Sequence, residues 1–205
     1  MAFLEHEYLK HCRSVSDINE HLPTLYKYAK ECSHITECGV RDVVSSYAFA
    51  WAIVGKPGAT IIQIDPYKSD LIERFQDICE MYPLTPLFYE QSDLECPLEK
   101  TDLLFIDTWH IYGQLKRELA RWHAYVTKYI ILHDTTVDGE IGESIRNERN
   151  IDEEMMKSGF SREDICKGLW PAVEEFLESH PEWHLKERFI NNNGLTVLER
   201  IHQSS

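Results

Sequence analysis

Residues 102–112 read Asp102-Leu-Leu-Phe-Ile-Asp107-Thr-Trp-His110-Ile-Tyr112. The apolar run Leu103 to Ile106 has the length and flanks of a strand buried on both faces, and it ends in Asp107 with His110 close behind. Open α/β sheets bind ligands just past the carboxyl ends of their parallel strands, so an acid and an imidazole there are candidates for chemistry. Further along the pattern recurs: Tyr129-Ile-Ile-Leu132 runs into His133-Asp134-Thr135-Thr136. An Asp often caps the helix after such a turn, and a lone His at a strand end is often only packed or solvated. Two successive strands ending alike favour a single cleft holding Asp107, His110, His133 and Asp134.

Upstream, residues 34–40 (HITECGV) are strand-like and end in an acid-x-Gly turn, and residues 42–54 form a strongly apolar helix closed by Gly55-Lys-Pro57-Gly58. Thr60-Ile-Ile-Gln-Ile64 follows and ends in Asp65-Pro66. Strand, glycine turn, helix and strand ending in an acid is the layout of a nucleotide-binding βαβ unit. The turn's N–H groups can meet an anionic group, Gly39 allows close approach, and the second acid can grip a ribose diol. Residues 69–82 have apolar positions at helical spacing and stop at Pro83, and residues 85–89 form a short strand with Gln91-Ser92-Asp93 beyond it.

After the opening strand, residues 113–125 read as a helix with Leu115, Leu119 and Trp122 on one face. Residues 137–167 lose the pattern, which predicts a lid or substrate loop with short, solvated, charged helices. A helix starts at Trp170-Pro171, and residues 183–190 and 195–201 alternate around Asn191-Asn192-Asn193-Gly194, a terminal β-hairpin. Residues 1–31 are helical in character, interrupted at Pro23, and are expected to cap the sheet edge or the site. The expectation is one domain spanning 1–205, an α/β fold with a Rossmann-like, seven-stranded, mostly parallel sheet, a C-terminal antiparallel hairpin and helices on both faces.

The composition excludes several function classes. Lys plus Arg total 21 against 35 Asp plus Glu, a net charge of -14, which repels phosphate backbones and anionic lipid. No apolar run approaches a membrane span, and the start, Met-Ala-Phe-Leu-Glu-His-Glu, lacks the basic and apolar regions of a signal peptide. Six scattered cysteines form no CxxC pair, which fits reduced thiols in a cytoplasmic protein. Neither nucleic acid nor membrane is expected as a partner, and oligomeric state is not legible.

The plan resembles class I S-adenosylmethionine (SAM)-dependent methyltransferases over about residues 30–201. Within that superfamily the chain looks most like small glycan and natural-product O-methyltransferases, including macrolide-sugar methyltransferases and cephalosporin-hydroxylase-like proteins. The likeness rests on Glu37-Cys-Gly39-Val40, Ile64-Asp65-Pro66, Phe105-Ile-Asp107-Thr-Trp-His110-Ile-Tyr112, Leu132-His133-Asp134-Thr135 and Asn192-Asn193-Gly194-Leu195, in that order and spacing. The resemblance implies that Glu37 and Gly39 line the methionine end of SAM. Asp65 would hold the ribose, and Ser92 and Asp93 would face the adenine. Val40, Ser45, Pro66, Asp107 and Thr108 complete the implied cofactor set.

It further implies a divalent cation, Mg or Mn, on Asp107 and Asp134 with His133 beside them, and His110 as general base toward a sugar or glycan hydroxyl. The chain departs from the pattern twice. Arg41-Asp42-Val43-Val44 stands where relatives have a second glycine, and His133-Asp134 stands where metal-dependent relatives often have two acids. Two Asp and one His suit Mg less well than an all-oxygen set, which leaves the metal open. Rival readings are an O-methyltransferase of catechols or other small hydroxyl compounds, a nicotinamide-dependent oxidoreductase, and a non-catalytic binding domain. The missing GxGxxG and the terminal hairpin weigh against the nicotinamide enzyme.

Overall fold

The computed structural model describes residues 2–201. Strands β1 (His34–Cys38), β2 (Thr60–Ile64), β3 (Thr85–Tyr89), β4 (Thr101–Ile106), β5 (Val126–His133), β6 (Trp183–Phe189) and β7 (Leu195–Arg200) form one sheet in the order β3-β2-β1-β4-β5-β7-β6. The first five run parallel, and β7 enters antiparallel between β5 and β6. The chain builds outward from β1 to β3 and then returns to lay β4 on the other side of β1. The point where the direction of growth reverses is where open α/β sheets leave a crevice.

Side chains of β4 alternate between two cores. Leu103 and Phe105 face one with Phe49 and Phe75, while Leu104 and Ile106 face the other with Leu119 and Trp122. This is why the run reads as continuously apolar. The first core is covered by α1 (Ala2–Arg13), α2 (Leu22–Ala29), α3 (Val44–Ile53) and α4 (Asp70–Glu80), and the second by α5 (Tyr112–Trp122) and α9 (Trp170–Ser179). Pro23 lies in the first turn of α2, where its missing N–H is harmless, so the proline restarts the helix. Helix α5 ends at Trp122 and gives way to a 3₁₀ turn, His123–Tyr125, three residues before the expected end.

The segment without a legible pattern is a packed excursion. It carries α6 (Glu143–Arg146), α7 (Ile151–Ser158) and α8 (Arg162–Cys166), gathered around Ile111, Ile151, Phe160 and Ile165. Its two ends are tied by Gly142 N–H to the Cys166 carbonyl at 2.9 Å and Gly168 N–H to the Glu140 carbonyl at 3.0 Å. None of its helices exceeds two turns or so, too few to display a 3.6-residue period. Among the described residues no helix is long and apolar enough to cross a membrane, and all six cysteines are free.

Candidate active site

Strand register decides which side chains meet. Cys38 pairs with Ile106 and Ile106 pairs with Leu132, so the next residues, Gly39, Asp107 and His133, emerge side by side. The Asp107 N–H donates to the Cys38 carbonyl and the Gly39 N–H to the Ile64 carbonyl, both at 2.9 Å. Gly39 has φ +82°, and a Cβ there would lie 1.9 Å from the Asp107 carbonyl oxygen. Only glycine allows this approach.

A cavity of about 380 Å³ opens over these strand ends. Gly39, Val40 and Ser45 come to its wall from the β1 turn and α3, and Asp65 and Pro66 from the end of β2. Ser92 and Asp93 come from beyond β3, and Asp107, Thr108 and His110 from beyond β4. The turn that lacks a second glycine is held by other means. Arg41 (φ 42°) and Val43 (φ 64°) both take left-handed conformations, which non-glycine residues adopt at a cost of about 1–3 kcal/mol each. Asp65 offsets this by accepting from the Val40 N–H at 2.9 Å and the Arg41 N–H at 3.3 Å. The Arg41 guanidinium forks onto Asp17 at 2.8 and 2.9 Å, and Ile18 from the N-terminal segment reaches the wall.

Glu37, expected at the cofactor's methionine end, stands behind this wall rather than in it. Its side chain is fully buried and accepts from Ser45 and Ser46 hydroxyls in the first turn of α3. Gln63 bonds Ser46 at 2.8 Å and reaches Glu37 at 3.4 Å. Burial pushes its carboxyl up to about 7, against the three hydrogen bonds that favour the charged form. A folded pKa above the ordinary value means the proton stabilises the fold. That contribution is complete below about pH 4.5 and is lost as pH rises through 7. Glu37→Gln is therefore expected to leave stability at pH 5 nearly unchanged and to raise it by about 2–3 kcal/mol at pH 8. Urea denaturation at the two pH values measures this; equal effects at both would contradict it.

Asp107, His110, His133 and Asp134 do converge. His110 Nε2 lies 3.1 Å from both Asp107 Oδ1 and Asp134 Oδ2, and its Nδ1 lies 3.3 Å from Asp138 and 2.9 Å from Glu143. His133 Nδ1 is 3.3 Å from the same Asp107 and Asp134 oxygens, and its Nε2 faces the Asp17 and Asn192 carbonyls. Every ring nitrogen thus faces only acceptors, so both imidazoles are cations. Burial works against this, but Asp107, Asp138 and Glu143 hold His110 well above its ordinary pKa, and the Asp107 charge leads in lifting His133 to about 10. Burial would likewise raise Asp107, yet His133 and His110 pull it well below the usual carboxylate range. With Arg146 on Asp138 and Arg149 on Glu143, four carboxylates face four cations.

The donor set fits a divalent ion. Oxygen or nitrogen atoms of Asp107, His110 and Asp134 lie within 4.8 Å of one another, and the buried Oδ1 of Asp134 has no partner. Because the imidazole protons occupy the same lone pairs, an ion could enter only as they leave, which ties its affinity to pH.

Asp138 and Glu143 escaped the sequence reading, which took their segment's charges as solvated; Asp138 is fully buried. The signal was Gly139 and Gly142 beside them. Cβ atoms there would meet backbone carbonyl oxygens of Thr135 at 2.7 Å and Ile165 at 2.3 Å, so the backbone is pressed against its neighbours.

No protein-family model matches the chain, and no curated protein matches it. Solved structures do. One is the O-methyltransferase TomG of Streptomyces achromogenes, bound to SAM: 13% identity, 92% of this chain and 82% of that one covered, TM-score 0.60. Another is an O-methyltransferase of Bacillus cereus bound to S-adenosylhomocysteine (SAH): 13% identity, 98% and 91% covered, TM-score 0.61. This chain has the class I methyltransferase fold. The methyltransferase PaMTH1 of Podospora anserina, bound to SAH, shares the same fold at 13% identity, with 97% and 88% covered and a TM-score of 0.58. At these identities the likeness is one of fold. The antiparallel β7 inserted beside β5 belongs to the methyltransferase fold and not to a plain dinucleotide-binding sheet.

Proposed function

We propose that this chain is a SAM-dependent O-methyltransferase acting on a hydroxyl of a sugar or glycan. The observation that carries the reading is one cavity, at the switch point of a methyltransferase fold, walled by Gly39 and Asp65 on one side and by His110 on the other. The close backbone approach at Gly39 and the Asp65 carboxylate suit the cofactor, with Ser92 and Asp93 toward its base. Among the described residues Trp109 is the one aromatic side chain in that wall; with its indole N–H on Ser144 at 3.1 Å, it offers a single platform. One platform beside several carboxylates suits a polyol better than a flat phenol.

Transfer forms an oxygen–carbon bond as the carbon–sulfur bond breaks, and the hydroxyl proton must leave. His110 Nε2 is its acceptor in this reading, oriented by Asp138 and Glu143 on Nδ1. Those acids also keep the resting imidazole protonated, so the free base is scarce at neutral pH and grows as pH rises. Asp107 and Asp134, with His133 beside them, would hold Mg or Mn, which would act as a Lewis acid and lower the pKa of a bound hydroxyl.

Thermal unfolding with SAH or NAD, each with and without Mg or Mn, tests the cofactor. SAH at a hundredfold excess over its Kd should stabilise by about 2.7 kcal/mol, a rise in Tm of roughly 5–10 °C, and NAD should not. An unchanged Tm with saturating SAH sinks the reading. Mass analysis of sugars and diphenols incubated with SAM tests the acceptor, and methylation of diphenols alone overturns the sugar.

A further inference from the structure

Behind Ser92 and Thr108 lies a second group of buried acids. Glu118 of α5 is 1% exposed and Asp93 is 5% exposed. Three residues of the cavity wall converge on Glu118. The Thr108 hydroxyl bonds its Oε1, the Gln114 amide donates to the same oxygen at 2.8 Å, and that amide also reaches Asp93 Oδ1 at 3.2 Å. One amide thus bridges the two carboxyls, yet each keeps one buried oxygen, Asp93 Oδ2 and Glu118 Oε2, without a donor.

Two buried carboxylates joined through one amide would repel, and buried acceptors without donors are costly. A single proton between them removes both problems. Nothing else nearby does. Arg121 donates its Nε–H to the Asp93 carbonyl and an Nη2–H to the Cys96 carbonyl, and Trp122 donates to the Asp93 carbonyl at 3.2 Å. The remaining titratable neighbours are the thiols of Cys38 and Cys96, both pushed up by burial and so neutral.

We propose that Glu118 is a positioning residue: it shares one proton with Asp93, and that bridge fixes Asp93, Gln114 and Thr108 as the cavity wall that receives the cofactor's base. This rests on the cofactor reading above. Burial raises both acids, and the Asp93 charge raises Glu118 further. The stabilised state is the protonated one, so SAH affinity is full at lower pH and declines on the alkaline side as the bridge is lost.

The experiment pairs calorimetric titration of SAH from pH 6 to 10 with infrared difference spectra of wild type against Glu118→Gln over the same range. The amide introduced by E118Q carries no charge at any of these pH values yet keeps a donor for Asp93, so this variant should bind SAH as tightly as wild type at pH 6. Wild-type affinity should then fall by up to tenfold per pH unit above the bridge's pKa, while E118Q stays flat apart from the ligand's own titration. At pH 8, where Glu37 has ionised, wild type should retain a protonated-carboxyl band that E118Q lacks. Parallel pH profiles, or no such band, overturn the proposal. SAH failing to bind wild type at any pH defeats the cofactor reading instead, and the infrared band then still decides whether the bridge exists.

Discussion

Gly39→Ala should abolish SAH binding and destabilise the fold by about 2–4 kcal/mol. The backbone at Gly39 is left-handed, and the added Cβ would sit 1.9 Å from a carbonyl oxygen of the neighbouring strand, so the β1 turn must move away from Asp107. Gly55 separates the two contributions. Its φ is +84° but nothing lies within 4 Å of a Cβ there, so Gly55→Ala carries conformational strain alone, about 1 kcal/mol. Denaturant unfolding of both variants and calorimetric titration of SAH give the comparison. If Gly39→Ala is no more disruptive than Gly55→Ala, the tight approach of β1 and β4 does not build the site.

His110→Ala should lower turnover by about 10²–10⁴ while SAH affinity changes little, since the imidazole is aimed at four acids and lies past the β4 tip. The sharper readout is the pH profile. Burial lowers the His110 pKa, but hydrogen bonds to Asp107, Asp138 and Glu143 outweigh it and hold the imidazole well above its usual range, so the rate should climb with pH on the alkaline side of neutrality. Glu143, 2.9 Å from Nδ1, is one of the acids that hold the proton on. Glu143→Gln removes that charge, so the rising limb should move to lower pH. A limb that stays put, or equal losses of turnover and cofactor affinity in His110→Ala, would remove the imidazole from the proton path.

The strand tips were legible because burial on both faces writes an uninterrupted apolar run, and Asp107 and His133-Asp134 stood where such runs ended. Glu37 was legible as the end of β1 but not in its direction. Side chains alternate along a strand, and whether a given one reaches the cavity or the helix behind it depends on how α3 lies across the sheet. Asp138 and Glu143 were hidden for another reason. Their segment folds through helices too short to carry a period, and burial of its acids follows from contact with His110, which lies well back in the chain.

Sequence by itself determined the order of strands and helices, the closing hairpin, the glycine turn and the acids at the strand ends, since each of these is written in local periodicity and turn chemistry. Tertiary structure decided the rest: that two imidazoles are cations within a ring of four carboxylates, and that two further acids meet behind the cavity. Protonation depends on which charges come within a few ångströms through folding, and no spacing along one chain encodes that.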